Sequence, residues 1–154
     1  MENKKIYTNN KKQKYSMAKD NKDNKIEVKP IPIEKVITDW FYMTPKEVTA
    51  KMVSNLIKLH GDMQVDFWEE MNIFQLELSN NIAVEFEPIK IEFKDPSDEA
   101  FIKDGDIKTI FAFNMDEETY EEVKLFIRVL FAEWGGFICA DSDDFKPIYR
   151  EDDL

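Results

Sequence analysis

The stretch Ile107 to Ala140 places the strongest constraint on what this chain can fold into. Ile107, Thr109, Phe111, Phe113 and Met115 alternate with Lys108, Ile110, Ala112 and Asn114, which is the period of a strand with one strongly apolar face. Asp116 ends the alternation and can cap a helix, since its carboxylate can accept from the free N–H groups of a first turn. Glu117 and Glu118 follow where the helix dipole favours negative charge. Tyr120, Val123, Phe126, Ile127, Leu130, Phe131 and Trp134 then recur at helical spacing as one broad stripe. Gly135 can take the left-handed conformation that closes a helix, and Phe137 to Ala140 reads as a short apolar strand. A helix with so many aromatics must lie on a sheet, and the strand 107–115 is its nearest floor.

The rest of the chain supplies more of the same two elements. Val36, Ile37, Trp40 and Phe41 are spaced for a short helix over Glu34–Met43. Thr44-Pro45-Lys46-Glu47 is a helix start, with Thr44 as cap, Pro45 in the first position and Glu47 completing a capping box. That helix is expected over Pro45–His60 and closed by Gly61. Three alternating runs follow: Met63, Val65, Phe67; then Phe74, Leu76, Leu78; then Ile82, Val84, Phe86. Residues 69–72 and Ser79-Asn80-Asn81 read as turns between them. At Pro88 the apolar phase slips by one residue, to Ile89, Ile91 and Phe93, which predicts a bulge or bend that restores the phase. Residues 94–106 are acidic and read as a loop. Beyond Ala140, Phe145, Pro147, Ile148 and Tyr149 are expected to pack back on the body, and Glu151-Asp152-Asp153 to fray. The expected class is α+β: an antiparallel meander of four to five strands with two main helices on one face.

Length and charge divide the chain into parts. A sequence of 154 residues is normally one domain, placed here at 26–150, with a basic tail over 1–25 and an acidic end over 151–154. The tail holds eight lysines against Glu2, Asp20 and Asp23 and is read as disordered; Pro30 and Pro32 confine 26–33 to a sheet edge or a connector. The net charge of −11 therefore hides a body at −16, which repels nucleic acid and membrane surfaces and attracts basic proteins. No apolar run approaches the ~18 residues of a membrane span, and no secretory signal is visible.

Catalytic and metal-ligating patterns are missing from the sequence. One cysteine, Cys139, and one histidine, His60, exclude ordinary structural zinc sites within a single chain. Asp141, Asp143 and Asp144 form the most suggestive acidic cluster, but Phe145 and Lys146 stand where a calcium loop needs an oxygen ligand and glycine. No glycine-rich phosphate loop or nucleophile elbow is present, so no cofactor, metal or catalytic residue is assigned and no enzyme activity is expected. The outward sheet face is more informative. If the apolar phase meets the helices, Gln64, Asp66, Trp68, Gln75, Glu77, Glu85 and Glu87 share the opposite side. Solvation accounts for the carboxylates, but Trp68 among them is either an anchor for a basic partner or a side chain covered by the segment 26–43. The candidate partner-binding residues are Asp66, Trp68, Glu77, Glu85, Glu87, Asp141, Asp143 and Asp144.

The small size, the acidic charge, the element order and the ending Trp134-Gly135-Gly136-Phe137-Ile138 after a long helix resemble the small acidic immunity proteins of bacterial toxin–immunity systems. The likeness spans about residues 44–150 and carries over no individual site residue; the basic tail departs from it. It implies a cytoplasmic protein that binds and blocks a cognate, usually basic, toxin domain. Two alternatives belong to other classes: a phage-type nucleic-acid mimic that inhibits a nucleic-acid-binding enzyme, and a metal-dependent enzyme built on the Asp141–Asp144 loop.

Overall fold

Asp39–Thr44 forms strand β1, whose residues Trp40 to Thr44 are all buried, in place of the helix expected over Glu34–Met43. A run that is apolar at every position suits a strand buried on both faces as well as a buried helix, and here the sheet wins. This is a computed structural model, and it describes residues 36–154. The tail over 1–25 and the proline connector at 26–33 lie outside the described residues.

The remaining elements are α1 (Ala50–Ile57), β2 (Gln64–Trp68), β3 (Ile73–Glu77), β4 (Ala83–Pro88), α2 (Pro96–Asp104), β5 (Thr109–Asn114), α3 (Tyr120–Trp134), β6 (Phe137–Ala140) and β7 (Ile148–Tyr149). The class is α+β, with three helices on a seven-stranded antiparallel sheet in the order β2-β3-β4-β5-β1-β6-β7. The sheet exceeds the expected four to five strands because β1 and β7 come from segments whose alternation is hidden or short. Strand β4 joins its two halves. Residues 83–86 pair with β3, and Glu87 and Pro88 pair with β5.

Two apolar clusters hold the sheet, one on each face. The first contains Tyr42, Phe74, Phe86, Phe111 and Phe113 from the strands, Val53 and Ile57 from α1, and Val123, Phe126, Ile127 and Leu130 from α3. Phe86 stacks on both Phe74 and Phe113 with ring centroids 4.6 Å apart, and Phe126 meets the tilted rings of Phe74 and Phe86. Truncating any of these fully buried rings to alanine costs about 3–5 kcal/mol. The expected pair of helices, α1 and α3, thus serves one face. The second cluster is smaller. It gathers Phe41, Met43, Ile110, Phe137 and Cys139 under Ile102 of α2 and Phe145.

That second cluster explains the phase slip at Pro88. The alternation is not restored by a bulge, and the strand does not continue to 93. After Ile89 N–H donates to Ile110 C=O (2.9 Å), the chain leaves the sheet, and Ile89 and Phe93 pack into the opposite cluster. The change of phase is a change of face.

Other boundaries differ for reasons visible in the hydrogen bonds. Thr44 ends β1; its hydroxyl donates to Trp134 C=O (2.7 Å) and accepts from Lys46 N–H (3.2 Å), but no helix follows it. The cap of the first helix is Thr49, which accepts from Met52 N–H, and α1 stops at Ile57, short of His60 and Gly61. The expected loop over 94–106 contains α2, capped by Asp95, with Pro96 in the first turn and Asp98 and Glu99 on the favourable side of the dipole. Asp116 caps the turn before α3, accepting from Thr119 N–H (2.9 Å), and the helix itself begins at Tyr120. Phe145 is buried and Ile148 and Tyr149 half-buried, as the sequence suggests. The acidic end does not fray: Glu151–Asp153 form a 3-10 turn in which Asp153 accepts from Arg150 N–H (2.8 Å).

Candidate functional site

The two faces of the sheet are covered unequally. Over β1, β5 and β6 the second face carries α2 and the segment around Phe145. Over β2, β3 and β4 it carries no described element, and the side chains there are the ones the alternation places outward. Their rows follow from the register: Asp66–Gln75–Glu85, Gln64–Glu77–Ala83 and Trp68–Ile73. Glu87 continues the β4 column opposite Ala112 of β5. Trp68 is 44% exposed, so it is not covered by residues 39–43, which are built into the core strand; residues 26–35 lie outside the described set.

At the inner border of this open half lies a cleft of about 410 Å³. Glu85, Glu87, Asp39 and Asp141 line it together with Asn114 and Ala112. Backbone pairing assembles it. Asp39 pairs with Asn114 across β1 and β5, the Asn114 amide donates to the Asp39 carboxylate, and Asp141 N–H donates to Asp39 C=O (2.9 Å). Desolvation at this border raises the Asp141 carboxyl above its ordinary value, and the neighbouring Asp39 charge raises it further. A cation arriving at the cleft would relieve that repulsion.

The structure therefore brings Asp66, Trp68, Glu77, Glu85 and Glu87 onto one surface and Asp141 to its edge. Asp143 and Asp144 do not join them. Asp144 is used inside its own turn, accepting from the Ser142 hydroxyl (3.2 Å) and Lys146 N–H (3.1 Å). Asp143 is exposed beside it and does not line the cleft. Among the described residues no group of three or more His, Cys, Asp or Glu side chains is placed to hold a metal ion. His60 is exposed beyond α1. Asp39 and Asn114 are cleft residues that the sequence reading passed over. Asp39 was hidden by the helix reading of its segment, and Asn114 by its place at the end of an apolar strand.

Three ion pairs occur among the described residues, Lys51–Glu69, Lys90–Glu92 and Lys108–Asp106, and none uses a carboxylate of the open face or cleft. Residues 36–154 hold eleven lysines and arginines against 27 acids, a balance of −16. No described helix is long and apolar enough to cross a membrane. The chain matches no family model, no curated protein and no solved structure.

Proposed function

We propose that this is an acidic protein-binding module that receives a basic protein on the open half of its sheet and blocks it, in the manner of an immunity or inhibitor protein facing a toxin domain. One observation carries the reading. The sheet surface left uncovered by described elements is also where Asp66, Glu77, Glu85 and Glu87 collect, with the exposed Trp68 at its corner next to Asp66 and with Asp39 and Asp141 at the inner border. An exposed aromatic at the corner of a surface whose charge is of one sign suits a partner of the opposite sign: the charges steer the encounter, and the ring of Trp68 supplies contact energy.

A mimic of nucleic acid needs a continuous track of carboxylates. Here Gln75 separates Asp66 from Glu85, and Gln64 and Ala83 flank Glu77, so the charge is interrupted in every row. That interruption favours the protein-partner reading.

The test is a pull-down from the source cell with wild-type protein and with Glu77→Lys, Glu85→Lys, Glu87→Lys combined, followed by association kinetics of whatever basic protein is captured. The triple reversal is expected to slow association by about tenfold or more at low salt, with the difference shrinking as salt screens the field. An unchanged association rate removes this face from the mechanism.

A further inference from the structure

The two edges of the sheet are protected very differently. At one end β7 is two residues long and follows directly on Pro147. Shortness and proline are common devices against unwanted strand pairing. At the other end β2 is five residues long, Gln64-Val65-Asp66-Phe67-Trp68, and its register with β3 runs unbroken from Gln64↔Glu77 to Trp68↔Ile73. It contains no proline, no lysine and no bulge, and no other described strand pairs with its outer side. Alternate residues of such a strand turn N–H and C=O groups away from their partner.

Charge decides what this edge can accept. If two copies paired through β2 in the symmetric antiparallel register, Asp66 would stand opposite itself, and like charges directly opposite are destabilising. A strand with basic side chains meets the reverse situation. Its residues on the open face would lie beside Asp66 and Trp68, where a lysine or arginine gains a carboxylate and an aromatic face. Its residues on the other face would extend the half-buried row of Val65 and Phe67, which packs against the first cluster.

We infer that β2 is a strand-addition site, and that the partner contributes an extended segment in which basic residues alternate with apolar ones. The inference rests on the reading of the open face as the landing surface for a basic protein and adds how that protein is held: by backbone hydrogen bonds along β2, with Asp66 selecting charge and Val65 and Phe67 selecting apolar side chains.

The experiment uses the full chain and two synthetic peptides of alternating lysine and valine. One peptide is unmodified; the other is N-methylated at alternate backbone amides, which keeps its charge and removes its donors on one edge. Binding is followed by amide chemical shifts and titration calorimetry at low salt. The expected result is shifts concentrated at residues 64–68 and affinity about tenfold or more weaker for the methylated peptide. Equal affinity for both peptides, with shifts around Glu77, Glu85 and Glu87, overturns strand addition and leaves the acidic landing face standing. Shifts on neither surface with either peptide overturn both. A dimer of the free protein with its interface at 64–68 assigns the edge to a second copy and also overturns the inference.

Discussion

Two adjacent glycines should respond to the same substitution very differently. Gly135 closes α3 with φ 68° and ψ −151°, a backbone region that belongs almost entirely to glycine, yet a Cβ there would have no neighbour within 4 Å. Gly135→Ala therefore costs conformational strain alone, about 2 kcal/mol. Gly136 has φ 88°, and its Cβ would lie 2.2 Å from the Met43 carbonyl oxygen and 3.0 Å from Thr44 Cα. Those atoms belong to β1, an interior strand whose Met43 pairs with Phe137, so they cannot retreat without parting β1 from β6. Strain plus forced overpacking brings Gly136→Ala to about 4 kcal/mol or more, a large share of the ~5–15 kcal/mol that holds a typical domain. Urea denaturation of both variants, compared at unchanged m value, measures the difference. Folded Gly135→Ala beside unfolded Gly136→Ala gives the same answer. Equal losses would show that the β1–β6 contact does not require the missing side chain.

Further outcomes follow from single groups. The Tyr42 hydroxyl donates to Gly135 C=O (2.9 Å) and the Thr44 hydroxyl to Trp134 C=O (2.7 Å), so β1 satisfies two carbonyls at the end of α3. Tyr42→Phe and Thr44→Val should each lower stability by about 1–2 kcal/mol, read from the denaturation midpoint; no loss in either would mean that solvent serves those carbonyls equally well. Asp141 has a folded-state carboxyl raised above the ordinary 3.8, so its ionised form opposes folding at neutral pH and the penalty disappears below that value. Asp141→Asn should stabilise the protein at pH 7 and lose that advantage as pH falls through the acid range; a gain that persists at low pH contradicts the electrostatic cause. Burial, with a smaller effect from Asp141, pushes the Cys139 thiol up to about 12. A chromogenic thiol reagent at pH 8 should label Cys139 only after unfolding, and rapid labelling of native protein would refute its enclosure.

Legibility in the sequence followed the number of faces each element buries. Strands β2, β3 and β4 alternate cleanly because one side meets α1 and α3 and the other is open, so their positions and their outward residues could be read directly. Strand β1 could not. Trp40 and Tyr42 serve one cluster while Phe41 and Met43 serve the other, and a continuous apolar run has no period. The same second cluster makes the phase slip at Pro88, read as a bulge or bend that restores the phase, a change of face instead. Helix α2 was obscured by its charge, although Asp95-Pro96 followed by Asp98 and Glu99 is a helix start of the kind recognised at Thr44-Pro45. At Thr44 the same pattern misled, because Thr44 is held as the last residue of β1, paired with Thr109, and the helix starts only after Thr49.

The ending Trp134-Gly135-Gly136-Phe137-Ile138, on which the resemblance to immunity proteins partly rests, acquires a structural cause from these contacts. Gly135 turns the chain out of α3, Gly136 lets it pass against Met43, and Phe137 and Ile138 enter the two clusters on opposite faces. Any sheet that takes a long helix straight back into an interior strand would select the same residues, whatever it binds. The weight of the functional reading therefore rests elsewhere, on where the strands alternate with charge and where they do not. Continuous apolar sequence in β1, β5 and β6 marks the half of the sheet closed on both sides, and alternation with Asp66, Glu77, Glu85 and Glu87 marks the half left open. A basic partner landing on this open half would meet the cleft at Asp39 and Asp141 along one border and the edge of β2 that no other described strand pairs along the other.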